Sequence, residues 1–148
     1  MKITDAHLKT IYAHAKETYP RECFGFILGH FDDGGQARQI ISGTNLNTER
    51  DDRFEMDPHD FIRVERDAED AELEIIGFYH SHPNWPPIPS QTDIDFAWEG
   101  MFYLIVSLHK GRPFNTNIWQ LTEDKPRRFE QTALVIVDEN ALDGDQQE

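Results

Sequence analysis

The chain has 148 residues, with 28 Asp and Glu against 14 Lys and Arg and a formal net charge of −14 at pH 7. A chain of about 150 residues can bury roughly 70% of its unfolded surface, so one domain with its own core is expected. The charge repels a phosphate backbone, which argues against nucleic acid as a partner, and no uncharged apolar run approaches the roughly 20 residues of a membrane span. The opening MKITDAHLKTIYAHAKE lacks the apolar core of a signal peptide, and the single cysteine, Cys23, allows neither an internal disulfide nor a cysteine-built metal cage. A cytoplasmic protein is expected. Nine Arg against five Lys on so acidic a chain fit either a high-salt habitat or an ordinary acidic exterior. A melting temperature that rises in molar salt distinguishes the first.

Leu8, Ile11, Tyr12, Ala15 and Tyr19 recur at spacings of three and four, with Thr4 placed as N-cap and Pro20 as a stop, so an amphipathic helix is predicted from Thr4 to Tyr19. Phe24 to Phe31 (FGFILGHF) predicts a buried strand, Asp32-Asp33-Gly34-Gly35 a turn, and Gln36 to Ser42 the hairpin partner. Thr44 to Arg53, rich in Asn, Thr and charge, reads as a loop. Asp57-Pro58 then supplies an N-cap and a first-position proline, and Phe61, Val64 and Ala68 give the next helix a core stripe as far as about Glu72. Glu74 to His80 (EIIGFYH) predicts a buried strand running into SHPNWPPIPS, where four prolines in seven residues exclude regular structure. Ser90 caps a further helix, and Asp93 three residues on completes a capping-box pattern. Strands follow at Phe102 to Leu108, Asn117 to Leu121 and Phe129 to Val137. Residues 1–137 form the expected domain, and the acidic remainder 138–148 (DENALDGDQQE) is expected to be disordered. The alternation of strands and helices indicates an α/β or mixed class, with helices packed on a sheet.

His80-Ser81-His82 falls at the end of a strand, whose two-residue period sends both imidazoles to one side. Asp93 lies in the first turn of the following helix, and Ser90 shares its face. The stiff proline loop can fold that turn back over the strand end. Two imidazoles and a carboxylate make a three-ligand zinc set with a fourth position open to water. Zinc brings the pKa of that water to about 7, and the chemistry then requires a base.

The string His80-Ser81-His82, seven residues, Ser90, two residues, Asp93 matches the JAMM signature position for position, including Pro83 after the second histidine. Upstream, Pro20-Arg21-Glu22 followed by Gly25 resembles that family's catalytic-glutamate segment. With a similar order of elements, the chain resembles the JAMM/MPN metallopeptidases over nearly its whole length. The resemblance implies an α/β JAMM/MPN domain, a curved mixed β-sheet flanked by helices in a cytidine-deaminase-like α-β-α sandwich. It further implies one zinc per chain on His80, His82 and Asp93, Glu22 as general acid/base, and Ser90 as hydrogen-bond donor to the developing oxyanion. The implied substrate is a peptide or isopeptide bond after the C-terminal Gly-Gly of a ubiquitin-like or sulfur-carrier protein. The compact chain has little room for ubiquitin-gripping insertions and is more similar to the small prokaryotic members. One departure is that Cys23 directly follows Glu22, while Phe24 holds the position where the family commonly has cysteine. Both belong to the strand start, so the departure bears on local packing.

The alternative function is a non-catalytic MPN scaffold. Such relatives typically lack a metal ligand, and this chain lacks none. A zinc deaminase needs His-x-Glu and Pro-Cys-x-x-Cys elements that are absent, and a related DNA-repair domain with a His-x-His-Pro string is disfavoured by the charge and by Glu22. Cys23 reads as a buried thiol rather than a nucleophile. Trp85 either lines a substrate groove or packs the proline loop. His7 and His14 read as a solvated helix face, His30, His59 and His109 have no matching partners, and Trp98 and Trp119 read as core.

Overall fold

The computed structural model describes residues 1–51, 53–95, 97–123 and 126–139. Strand β1 (Lys2–Thr4) precedes helix α1 (Asp5–Thr18), so the first helix begins one residue after its expected start. Thr4 serves both elements: its backbone ends the strand, and its Oγ1 accepts from the His7 N–H at 3.1 Å as the N-cap. Strands β2 (Phe24–His30) and β3 (Gln36–Ser42) form the expected hairpin, turning through Asp33, Gly34 and Gly35, all at positive φ. Helix α2 (Pro58–Asp70) starts at the Asp57 cap, whose carboxylate accepts from the His59 N–H at 2.9 Å, and buries Val64 and Ala68. It stops two residues before the expected end because Glu72 takes a left-handed φ of 60° and the Leu73 N–H closes back onto the Ala68 carbonyl.

Strand β4 (Glu74–Pro83) runs beyond its expected end at His80. The parallel neighbour β5 (Phe102–His109) pairs with it through His80, His82 and Pro83, so the prolines exclude regular structure only from Asn84 onward. Pro83 is tolerated because it is the last residue of the strand, and the next N–H, on Asn84, donates to Leu108 O at 2.7 Å. After helix α3 (Gln91–Asp95), the hairpin of β5 and β6 (Arg112–Leu121) turns at Lys110 and Gly111, both at positive φ. Strand β6 starts five residues ahead of expectation because its polar, exposed first half carries no apolar alternation; pairing with β5 orders it.

The stretch expected as one strand from Phe129 to Val137 breaks after Thr132. Strand β7 (Phe129–Thr132) pairs with β6, and β8 (Val135–Val137) pairs with β1. The eight-stranded sheet has the order β7-β6-β5-β4-β2-β3-β1-β8, so two strands joined by Ala133 and Leu134 sit on opposite edges. Only a strongly curled sheet brings its edges that close. The Met1 amino group seals the seam by donating to Ala133 O, while the Val135 N–H donates to Met1 O.

The sheet is mixed, as expected, and has a core on each side. Leu8, Ile11 and Ala15 of α1 pack with Ile27, Tyr79 and Leu104, whereas α2 covers Phe24, Phe26, Phe78 and Tyr103. Each buried Leu, Ile or Phe among them contributes roughly 1.5–3 kcal/mol on burial. Gly25 is required here because a Cβ on it would collide with the Tyr79 ring. No helix among the described residues is long and apolar enough to cross a membrane. Of the tail expected to be disordered, 140–148 lie outside the described residues.

Candidate metal centre

Pairing between β2 and β5 fixes β4 as an interior strand, and its pleat presents His80 and His82 on the α2 side, 1% and 0% exposed. Their Nε2 atoms lie 3.1 Å apart, and Asp93 Oδ2 lies 3.2 Å from each. Asp93 reaches this point through the expected capping box: its N–H donates to Ser90 Oγ at 3.0 Å, and the Ser90 N–H donates back to the same Oδ2 at 2.9 Å. The helix start is thereby folded over the strand end, and three donor atoms form a nearly equilateral triangle.

Protons alone do not account for this triangle. Each neutral imidazole can direct at most one proton into it, and His82 directs its proton elsewhere: its Nδ1–H donates to the Pro86 carbonyl at 2.7 Å, leaving the Nε2 lone pair facing inward. Around a tetrahedral zinc with ligands at about 2.0–2.1 Å, neighbouring donor atoms stand about 3.3 Å apart. The separations of 3.1–3.2 Å and the two-nitrogen, one-oxygen chemistry fit that ion.

Electrostatics agree. Burial pushes the Asp93 carboxyl upward, but the His80 charge and hydrogen bonds from His80 and the Ser90 N–H outweigh it and hold the group well below the usual carboxylate range. Burial drives His82 below its ordinary value. His80, also opposed by burial, is raised because Asp93 and Glu22 face it.

Glu22 follows the end of α1, is 1% exposed, and brings a carboxylate oxygen into a group with the two histidine nitrogens, all within 4.8 Å of one another. Asp93 Oδ2 stands 3.2 Å from both imidazole nitrogens, so two carboxylates, Glu22 and Asp93, face the histidine pair. The peptide unit after Glu22 is held at both ends. The Cys23 N–H donates to Ser81 Oγ at 2.8 Å, and Asn45 Nδ2 donates to the Glu22 carbonyl at 2.9 Å.

Two aromatic side chains back the imidazoles. Trp85 lies flat on His82, with centroids 3.4 Å apart and planes within 5°, and its carbonyl accepts from Ser107 Oγ. Trp85 therefore packs the proline loop onto the centre rather than lining the groove. Phe54 tilts over His80 at 4.9 Å and stacks on Phe24 at 4.8 Å. A cavity of about 380 Å³ opens beside the triangle, walled by Phe24, Phe54, Met56, Phe78 and Trp98, with Ser90 and Asp93 at its polar end. Its size and apolar walls suit a ligand site.

Several side chains depart from expectation. Trp98, expected in the core, is 40% exposed because it forms the cavity wall between Phe61 and Phe78. Trp119 is half-buried and its Nε1–H donates to Pro87 O. His14, expected on a solvated face, shares a 2.8 Å hydrogen bond with the Tyr79 hydroxyl, and burial lowers its pKa. Cys23 is buried as expected, and burial pushes its thiol up to about 12, which leaves it unreactive. Sequence reasoning missed Asn45 and Phe54. Both fall near or within a stretch with no periodicity, where the one signal was that Asn side chains commonly tie loop backbone together.

The family model for prokaryotic homologs of the JAB domain matches residues 4–122. Desampylase from Haloferax volcanii is 35% identical over 106 residues, 66% of this chain and 73% of that protein. CysO-cysteine peptidase from Mycobacterium tuberculosis is 31% identical over 102 residues, 68% of each. A JAB1/MPN domain protein from Archaeoglobus fulgidus superposes with a TM-score of 0.62 at 22% identity, over 93% of this chain and all of that one, and so shares the fold. The curled mixed sheet and the family match agree with the JAMM/MPN resemblance of the motif: the chain belongs to the prokaryotic JAB family.

Proposed function

We propose that His80, His82 and Asp93 hold one zinc ion, that Glu22 is the general acid/base, and that Ser90 stabilises the reacting carbonyl. The protein is a JAMM-type hydrolase of the isopeptidase class. The observation that carries the ligand assignment is the triangle of donor atoms at 3.1–3.2 Å.

Bound zinc supplies a water of pKa about 7 and a Lewis acid for the scissile carbonyl. The protein supplies the rest. Pro86 O fixes the tautomer of His82, and the Ser90 N–H orients the Asp93 carboxylate. Glu22, buried beside both imidazoles, takes a proton from the attacking water and returns it to the leaving amine. Ser90 Oγ accepts from the Asp93 N–H, so its own proton is available to donate to the carbonyl oxygen as negative charge develops there. A donor in that role is worth about 10²–10³ in rate.

The substrate class is a ubiquitin-like or sulfur-carrier protein cut after its C-terminal Gly-Gly. Two similarities support it: the relatives include a desampylase and a CysO-cysteine peptidase. The catalytic domain is 1–137, a boundary supported by β8 closing the sheet against β1, and its place of action is the cytoplasm. A scaffold reading has no observation in its favour, since all three donor atoms converge. The test is cleavage of a ubiquitin-like sulfur carrier extended beyond Gly-Gly, with zinc-loaded protein in the presence and absence of chelator. Chelator-sensitive cleavage at that junction is expected. An intact carrier with one zinc bound per chain would overturn the substrate class.

A further inference from the structure

We propose that Asn45 is a positioning residue for Glu22, tying the base to the cavity wall. The inference rests on the reading of Glu22 as the general acid/base. It starts from a single side chain that fills its whole hydrogen-bonding capacity. Asn45 Nδ2 donates to Glu22 O at 2.9 Å and to Arg53 O at 3.2 Å, and its Oδ1 accepts from the Asn47 N–H at 2.9 Å and the Glu55 N–H at 3.0 Å. Two donors and two acceptor sites are all an amide has.

The partners lie at two places that matter. Arg53 and Glu55 flank Phe54, whose ring covers His80, and all three line the cavity together with Met56. The Asn45–Met56 bridge and the Leu46 N–H to Glu55 O bond at 2.9 Å make this wall a closed loop with Asn45 at its base. The fourth partner is the carbonyl of Glu22. That carbonyl belongs to the same peptide unit as the Cys23 N–H, which donates to the hydroxyl of Ser81, the residue between the two histidines.

The peptide that carries the base is thus bolted at one end to the ligand strand and at the other to the wall. Fixing a peptide plane at both ends holds in place the Glu22 Cα that borders it, and with it the point from which the carboxylate reaches. Ser81 alone leaves the plane free to pivot about one hydrogen bond; Asn45 removes the pivot. A displacement of the wall by an entering peptide reaches Glu22 through this amide. Asn45 contacts no reacting atom, so its contribution is to the reach of the carboxylate, and a misplacement near 1 Å costs on the order of 10²-fold in rate.

The test uses the full zinc-loaded chain with Asn45→Ala and Asn45→Asp, the latter keeping both acceptances and losing both donations. Two readouts are taken: hydrogen exchange of the Cys23 amide, and kcat and KM on the sulfur carrier extended beyond Gly-Gly. Both variants are expected to hold zinc within about twofold of the parent, to lose about 10²-fold in kcat with little change in KM, and to exchange the Cys23 amide at least about tenfold faster. If Asn45→Ala does not fold, Asn45→Asp carries the test. A parental exchange rate at Cys23, or a loss confined to KM, would overturn the proposal; the latter would make Asn45 a wall residue only. If the parent itself leaves the carrier intact, the substrate reading fails, and the exchange rate still decides the coupling of Asn45 to the Glu22 peptide.

Discussion

Two loops flank the imidazole pair, and they are held in place by different means. The segment from Asn84 to Pro89 has three prolines in six residues, which restrict its backbone before any contact is made. Its contacts then converge on one imidazole: Trp85 stacks on His82, Pro86 O accepts from His82, and Ser107 holds the Trp85 carbonyl. The segment from Thr44 to Asp57 has no proline and is held by side chains, chiefly the four hydrogen bonds of Asn45 and the stack of Phe54 on Phe24. The first loop braces His82; the second walls the cavity and reaches the peptide after Glu22. Stiffness encoded in the backbone suits the metal-holding role proposed for His82, and a side-chain net suits a wall that yields to substrate.

The largest effect expected is at the centre both loops serve. His82→Ala removes a donor atom and the surface under Trp85 together, and is expected to abolish stoichiometric zinc and with it all turnover, measured by metal analysis of the purified chain. Ser90→Ala separates chemistry from metal binding: kcat falls about 10²–10³-fold while zinc is retained. The loss of its cap also costs about 1 kcal/mol, read in thermal denaturation. The contrast between the loops is sharpened by a pair of truncations. Trp85→Ala is expected to weaken zinc about 10- to 100-fold, as loss of outer-shell support typically does, with kcat of the zinc-saturated protein nearly unchanged. Phe54→Ala is expected to raise KM and leave zinc affinity alone. Competition titration against a chelator measures the first, steady-state kinetics the second; the reverse pattern would break the division of labour.

The smallest effect concerns the thiol between the loops. Cys23 ionises near 9 when unfolded and, because of burial, near 12 when folded, so the unfolded chain loses this proton first. Stability from this group is present below about pH 9 and declines as pH rises from 9 toward 12. Denaturant titrations of the parent and Cys23→Ser across that range are expected to diverge, with the parent losing stability faster.

The same two loops show what was legible in the sequence. The convergence of His80, His82, Ser90 and Asp93 was readable because their positions follow strong local rules: a two-residue strand period, a capping box and a proline-restricted connection. Each is expressed within fourteen consecutive residues, and the structure brings their polar atoms together. Glu22 was reached through the motif resemblance, since nothing local distinguishes a buried carboxylate from a surface one after a helix. Asn45 and Phe54 were illegible because their partners, Glu22 and His80, are 23 and 26 residues away, and an aperiodic polar loop does not announce its contacts. The fold divides likewise. The hairpin of β2 and β3 followed from its turn residues. The break between β7 and β8 did not, because it is set by closure of the curled sheet against β1 rather than by Ala133 or Leu134.

The central claim is that three residues hold the metal while a fourth, Glu22, works its water. It is tested most directly by measuring zinc content and turnover of Glu22→Gln beside the parent. The account predicts one zinc per chain in both proteins and a loss of turnover of at least about 10²–10⁴-fold in the variant. Turnover near the parental rate would remove Glu22 as the base, and loss of the zinc would make Glu22 a ligand.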